Sequence, residues 1–293
     1  MKKTTSVIAV ALLSSLWGSA ATIDWSGVSG TFTDAGNWTG GVAPVLDGTD
    51  NARVSSGSAI HNGTGGDLTI SGGSQLILNG GDYGQTAGFW LNFQGGGSFS
   101  VTNGSTLQGT NNLRLRGVGG NAATHTVDGG FVNANAWEVD DNQTVNISNG
   151  SVLSMNGTSS VNNNSVINLT ASTLNVNNLD LRTYAGNSGF VNLFDGAQLN
   201  VNGAFTTTAN AFVNFDTDST AVMFLDNVSV TDVETLITNG QFGISGAIDT
   251  TTSNYALSVN GSGVDVQLVA IPEPSVSALL GLGGVALILR RRK

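Results

Sequence analysis

The sequence predicts an all-β fold, a right-handed parallel β-helix (β-solenoid), preceded by an N-terminal signal helix and followed by a single C-terminal transmembrane or sorting helix. Three observations carry this. Short alternating stretches such as Leu68 to Ile70, Gln75 to Leu78, Asn112 to Arg116, Thr144 to Ile147 and Asn175 to Leu181 are bounded by Gly, Asn, Asp or Ser, the pattern of strands and turns. No run reads as a helix longer than about two turns. A loose repeat recurs as ISGGSQL (70–76), VTNGSTL (101–107), ISNGSVL (147–153) and LFDGAQL (193–199), an aliphatic residue, a glycine corner and a second aliphatic residue. Its glycines, Gly73, Gly104, Gly130, Gly150 and Gly196, lie 31, 26, 20 and 46 residues apart, the last being two periods of about 23. Units of this size cannot bury their own apolar face and stack into a solenoid. About ten coils at roughly 4.8 Å each are expected. The alternative is a pair of β-sandwiches, which also tolerate short strands at this spacing.

Residues 1–21 read as a secretory signal peptide: Lys2 and Lys3 at the start, an apolar stretch over 7–16, and Ser19, Ala20 and Ala21 as the small-residue cleavage site. Residues 22–66 are expected to cap the solenoid, with Trp25, Phe32 and Trp38 packed at its end; the alternative for Trp25 or Trp38 is stacking on a sugar. Asp24-Trp25, then Gly36-Asn37-Trp38, then Gly41 to Pro44 resembles the opening of secreted autotransporter-type β-helix proteins. Residues 67–209 hold the repeats. From 210 the glycine pattern fades, and 210–270 are assigned to a second cap and a spacer, with Phe212, Phe215, 223–225 and 233–237 as closing residues.

In the tail, Pro272-Glu273-Pro274 is followed by an apolar run over 276–289 and by Arg290, Arg291, Arg292 and Lys293. Fourteen helical residues rise about 21 Å, a marginal span for a bilayer core of about 30 Å, and the basic cluster holds the cytoplasmic side. Residues 271–293 resemble the PEP-CTERM sorting signal, with all three parts in order. The resemblance implies an exported bacterial surface or matrix protein. It also implies processing by the exosortase protease, a transient or retained membrane segment, and hosts that make exopolysaccharide.

Charged residues are 10% of the chain, against about 25% in ordinary soluble domains. Between the two ends lie only Arg53, Arg114, Arg116 and Arg182 against nineteen acids, so 4 − 19 = −15. Such a body repels nucleic acid, which needs bases set against phosphates. With no cysteine, disulfide scaffolds, thiol catalysis and cysteine-held metals are excluded. His61 and His125 lie in Gly/Thr/Asn-rich stretches, lack metal or triad spacing, and read as exposed polar residues. The GVGG run at 117–120 lacks the Lys-Ser/Thr of a phosphate loop.

One cluster invites a carbohydrate or cation contact: Trp137 beside Glu138, Asp140 and Asp141. On a strand Glu138 and Asp140 share a face, and an aromatic beside paired acids suits a sugar. Asp216, Asp218 and Asp226 form a looser group. Weak calcium binding is the only cofactor expectation. The functional expectation is a non-enzymatic structural protein of the cell surface or extracellular matrix, associated with exopolysaccharide. The alternatives are a β-helix polysaccharide lyase or hydrolase and a carbohydrate-binding adhesin.

Overall fold

The computed structural model describes residues 20–269, apart from 63–65, 87, 110, 185 and 218. Residues 1–19 of the signal segment, Asp218 and the sorting tail lie outside the described residues, whereas Ala21 at the expected cleavage site is the first residue of a described strand. Each coil runs through three faces. Face one is a ladder of parallel strands from Ala21–Asp24 to Phe242–Ile244, with Asp50–Val54, Gln75–Asn79, Ser98–Thr102, Thr124–Asp128, Thr144–Ser148, Val166–Leu169, Phe190–Leu193 and Phe212–Phe215 between them. Face two stacks Asp82–Gln85, Thr106–Gln108 and Phe131–Ala134 in the same sense. Face three stacks Leu68–Ile70, Leu91–Gln94, Leu113–Arg116 and Trp137–Asp140. Val152–Val161 and Thr173–Leu181 each serve faces two and three, with a register shift between Met155 and Thr158 marking the bend.

The strands of the three faces pair parallel from coil to coil within the repeats, which removes the sandwich alternative; the one antiparallel hairpin among the described repeats, Thr183–Tyr184 with Asn187–Ser188, lies off those faces. Among the described residues face one stacks ten parallel strands, but only about seven turns are complete, fewer than the ten expected, the outermost strands belonging to the end caps. The difference is the length spent on the two ends.

Alternation within each strand sends every second side chain inward, and in-register pairing stacks those side chains into columns. On face one Val54, Leu78, Val101, Val127, Ile147, Leu169, Leu193 and Phe215 form one column. On face two Tyr83, Leu107, Val132, Leu153, Leu174, Leu199 and Met223 form another. All of these are essentially inaccessible to water. At the corner after face one, Asn103 (φ 54°) and Gly104 (φ 73°), like Asn149 (φ 56°) and Gly150 (φ 75°), are both left-handed, the conformation that Asn-Gly adopts most readily.

The repeat is real, but its first member belongs to a different corner from the others. Residues 70–76 turn from face three into face one, whereas 101–107, 147–153 and 193–199 turn from face one into face two. The equivalent of Gly104 one coil earlier is in Gly80-Gly81, and the odd spacing of 31 disappears.

The end caps follow aromatic packing. Trp38 meets Trp25 and Phe32 edge-on, each at 5.1 Å between ring centres, and donates its indole N–H to the Phe32 carbonyl (2.6 Å). Both tryptophans are buried, as expected of a cap. At the other end the helix Val230–Thr238 starts with a capping box between Ser229 and Asp232 and buries Val233 and Ile237. The antiparallel strands Tyr255–Asn260 and Gly263–Leu268 then lie on Val222–Leu225 and break the parallel stack. Residues expected as a spacer are thus part of the cap.

Both histidines are buried, contrary to the expectation of exposed polar residues. His61 is 3% exposed, and its Nε2 lies 2.9 Å from the Gly66 carbonyl. His125 is 0% exposed because it occupies an inward position of face one, in the column continued by Val145, Ile167, Val191 and Val213. Its ring packs on Phe99 at 4.8 Å and Phe93 at 5.6 Å between centres. The Phe99 N–H donates to Nδ1 (3.4 Å), so Nε2 carries the hydrogen toward Gln143 Oε1 (3.2 Å). The Gln143 amide in turn donates to the Asn121 and Asp141 carbonyls. Burial pushes the imidazole pKa down to about 4, only partly offset by the Gln143 bond.

A histidine kept neutral by the fold but free to protonate in the unfolded chain (at about 6.5) leaves stability intact above about pH 6.5 and withdraws it as pH falls toward 4. We expect His125 to account for a loss of about 2 kcal/mol between pH 7 and pH 5. Urea unfolding midpoints of the parent and of His125→Leu across that window measure it. Equal pH slopes for the two proteins would sink the assignment.

Candidate functional site

Three of the four body arginines meet on the outward side of face three. Register places Asn92, Arg114, Glu138, Ser160 and Asp180 in one row across the coils, with Gln94, Arg116 and Asp140 in the next. Glu138 accepts from Arg114 Nε at 2.8 Å and from Arg116 Nη2 at 3.2 Å. Arg182 pairs with Asp180 two residues away. The Arg114 guanidinium lies 3.7 Å from the ring centre of Trp90, a cation–π contact. The sequence carried no local sign of Trp90, which lies 24 residues from Arg114 and reaches it only through coil stacking.

The predicted cluster splits. Glu138 and Asp140 do share the outward face, as alternation required. Trp137, between inward Leu113 and buried Ser159, has 0% exposure and is a core residue, so it offers no surface to a sugar or cation. The reason is the same alternation: a residue adjacent to an outward Glu138 must point in. Its bulk is accommodated by the small Ser159 on the next coil, whose Oγ accepts the Trp137 backbone N–H (3.4 Å).

Asp141 belongs to a corner. With φ 60°, followed by Asn142 at 63°, it turns face three into face one and accepts from the Asn163 side-chain amide of the next coil. A Cβ at Gly117 would collide with the Asp141 carbonyl, so the coil before must carry glycine there. Asp140 is half-buried, and its pKa is raised first by that burial and then by the negative charge of Asp141. No group of three or more Asp, Glu, His or Cys side chains is arranged to hold a metal among the described residues.

Chemically the strip is a cross-coil ion-pair ladder. Glu138 is bound by two cations, Arg114 of its own row and Arg116 of the next, and Asp180 by one. Its contribution is that of partly exposed pairs, about 0.2–1 kcal/mol each.

The fold defines a β-solenoid. Among protein families, residues 270–293 match the PEP-CTERM protein-sorting motif, which contains Pro272, Glu273, Pro274 and the Arg290 to Lys293 cluster. That signal implies an exported cell-envelope protein sorted and processed by exosortase. Comparisons with curated proteins and with solved structures found no match, so the autotransporter-type likeness rests on residues 24–44 alone. Among the described residues no helix is long and apolar enough to cross a membrane, and the apolar run at 276–289 lies outside them.

A double-mutant cycle tests the ladder. Glu138→Gln and Arg114→Gln are each expected to lower stability by about 1 kcal/mol, and the pair together by less than the sum. Strict additivity in urea unfolding would mean that the two charges are independent.

Proposed function

We propose that the mature protein is a non-catalytic structural element of the bacterial surface or extracellular matrix, set against exopolysaccharide of the biofilm through its polar faces. What supports this reading is that the outward side chains are largely tied to one another. On face one Asn168 donates to Asn146, Asn192 to Asn168 and Asn214 to Asn192, at 2.9, 2.8 and 3.1 Å. At the corners Ser148 and Asn149 donate to Asp128, and Asn187 donates to Asn163. Two of the three acids that a lyase or hydrolase would use are engaged in the same way, Glu138 by two arginines and Asp141 by an asparagine, which leaves only Asp140 of the three without a side-chain partner among the described residues. A glycosidase needs one acid free to donate a proton and a second free to act as base or nucleophile.

The test uses protein recovered from the host, with cell, matrix and medium fractions kept separate. Intact mass should show a chain ending within residues 272–275, and the protein should partition with the matrix. Incubated with host polysaccharide, it should release no new reducing or unsaturated ends. Depolymerisation lost in Asp140→Asn would make it an enzyme instead, and recovery in the medium alone would remove the matrix role.

A further inference from the structure

On face one the outward asparagine column runs unbroken to Asn214, whose Oδ1 is closed by the Gly246 N–H at 2.7 Å. Face two begins a similar column and breaks it. Asn200 donates to Asn175 Oδ1 at 2.8 Å, but the next position in register is Phe224, and the one after that is Asp265. Alternation forces Phe224 outward, because Met223 and Leu225 on either side fill the core. The ring therefore stands half-buried in a polar row. The open groove around it is about 430 Å³ and is lined besides by Gln198, Asn202, Asn260 and Gln267.

Interruption leaves amide groups without partners. Asn175 Nδ2 and Asn200 Oδ1, and the side-chain amides of Asn202 and Gln267, have no protein partner among the described residues. Gln198 Oε1 meets only the Thr173 hydroxyl, at 3.4 Å. Asp265 accepts from Asn260 Nδ2 at 3.0 Å. The groove thus presents one flat apolar surface surrounded by donors and acceptors, a few convergent polar groups about an apolar floor.

We propose that this groove is a binding site for a neutral oligosaccharide. The apolar C–H face of a sugar ring would lie on Phe224, while its hydroxyls exchange hydrogen bonds with the free amides. Two further observations select the class. No arginine or lysine lines the groove, and the body carries −15, so an anionic glycan meets repulsion without a counter-charge. The main chain beneath is already paired on both sides, Val222–Leu225 with Gln198–Val201 and with Gly263–Leu268, so a peptide cannot add as a strand. The proposal deepens the matrix-associated reading and rests on it for its biological setting, though not for its chemistry.

Affinity electrophoresis of the mature chain through gels carrying neutral glucan, galactan or mannan, or anionic polygalacturonate, tests it. Hexasaccharides of any retarding polymer are then titrated by calorimetry. Retardation by at least one neutral polymer is expected. Phe224→Ala and Asn200→Ala should each weaken hexasaccharide binding about tenfold or more, with unchanged far-UV circular dichroism, and Phe224→Trp should retain it. Retardation by the anionic polymer alone, by none, or without dependence on Phe224 would overturn the proposal. Host matrix that retains the parent and Phe224→Ala equally overturns the groove and leaves the matrix reading standing. Neutral oligosaccharide binding that depends on Phe224, without retention on host matrix, supports the groove while that reading fails.

Discussion

In-register parallel stacking is the constraint on which the rest of this molecule depends. Each inward side chain must sit on its counterpart one coil away, because the hydrogen-bonded ladder fixes the strands at about 4.8 Å and leaves no freedom to slide. Coil length can therefore vary only where the chain leaves the ladder. From Val101 to Val127 a coil takes 127 − 101 = 26 residues, and from Val127 to Ile147 it takes 147 − 127 = 20, yet all three stand in one column. The longer coil includes the short turn Val118–Gly120 between faces three and one. The GVGG run has that structural use.

The same constraint explains what the sequence disclosed and what it hid. Alternation and Asn-Gly corners are local, so the strands, the solenoid class and the shared face of Glu138 and Asp140 were legible. Which corner each glycine belongs to is not local, and ISGGSQL at 70–76 resembles VTNGSTL at 101–107 while turning at a different edge. Trp137 was misplaced for a simpler reason. Aromatic and acid adjoin in sequence, but adjacent strand residues occupy opposite sides. His125 shows the limit of composition: its Gly/Thr/Asn-rich surroundings suggested surface, while its register position was core.

Polar groups inside the solenoid are tolerated because stacking also brings partners. Ser74, Ser105, Ser151 and Ser172 are buried immediately after corners. Their hydroxyls accept backbone N–H groups of the preceding coil, from Gly48, Gly80, Gly130 and Ser151 respectively. A buried N–H without such an acceptor would cost about 1–3 kcal/mol, so the serine satisfies a backbone group that the turn leaves without a ladder partner. The Gly-Ser pair of the repeat (73–74, 104–105, 150–151) was the sequence trace of this, present in the pattern but silent until the coils were stacked.

The boundary between folded body and sorting signal follows from where backbone pairing ends. Leu268 is the last residue in a strand, paired with Tyr255, and the Val269 N–H still donates to the Asn254 carbonyl at 2.9 Å. The matched sorting motif begins at residue 270. Processing around Pro272 to Pro274 would therefore break no ladder bond among the described residues. Tyr255, Phe242 and Phe215 hold the cap together through contacts of 5.8–6.3 Å between ring centres. None of those rings lies within the motif. The described body is thus closed by residues that precede the motif, which is the physical requirement that a cleavable address places on the fold before it.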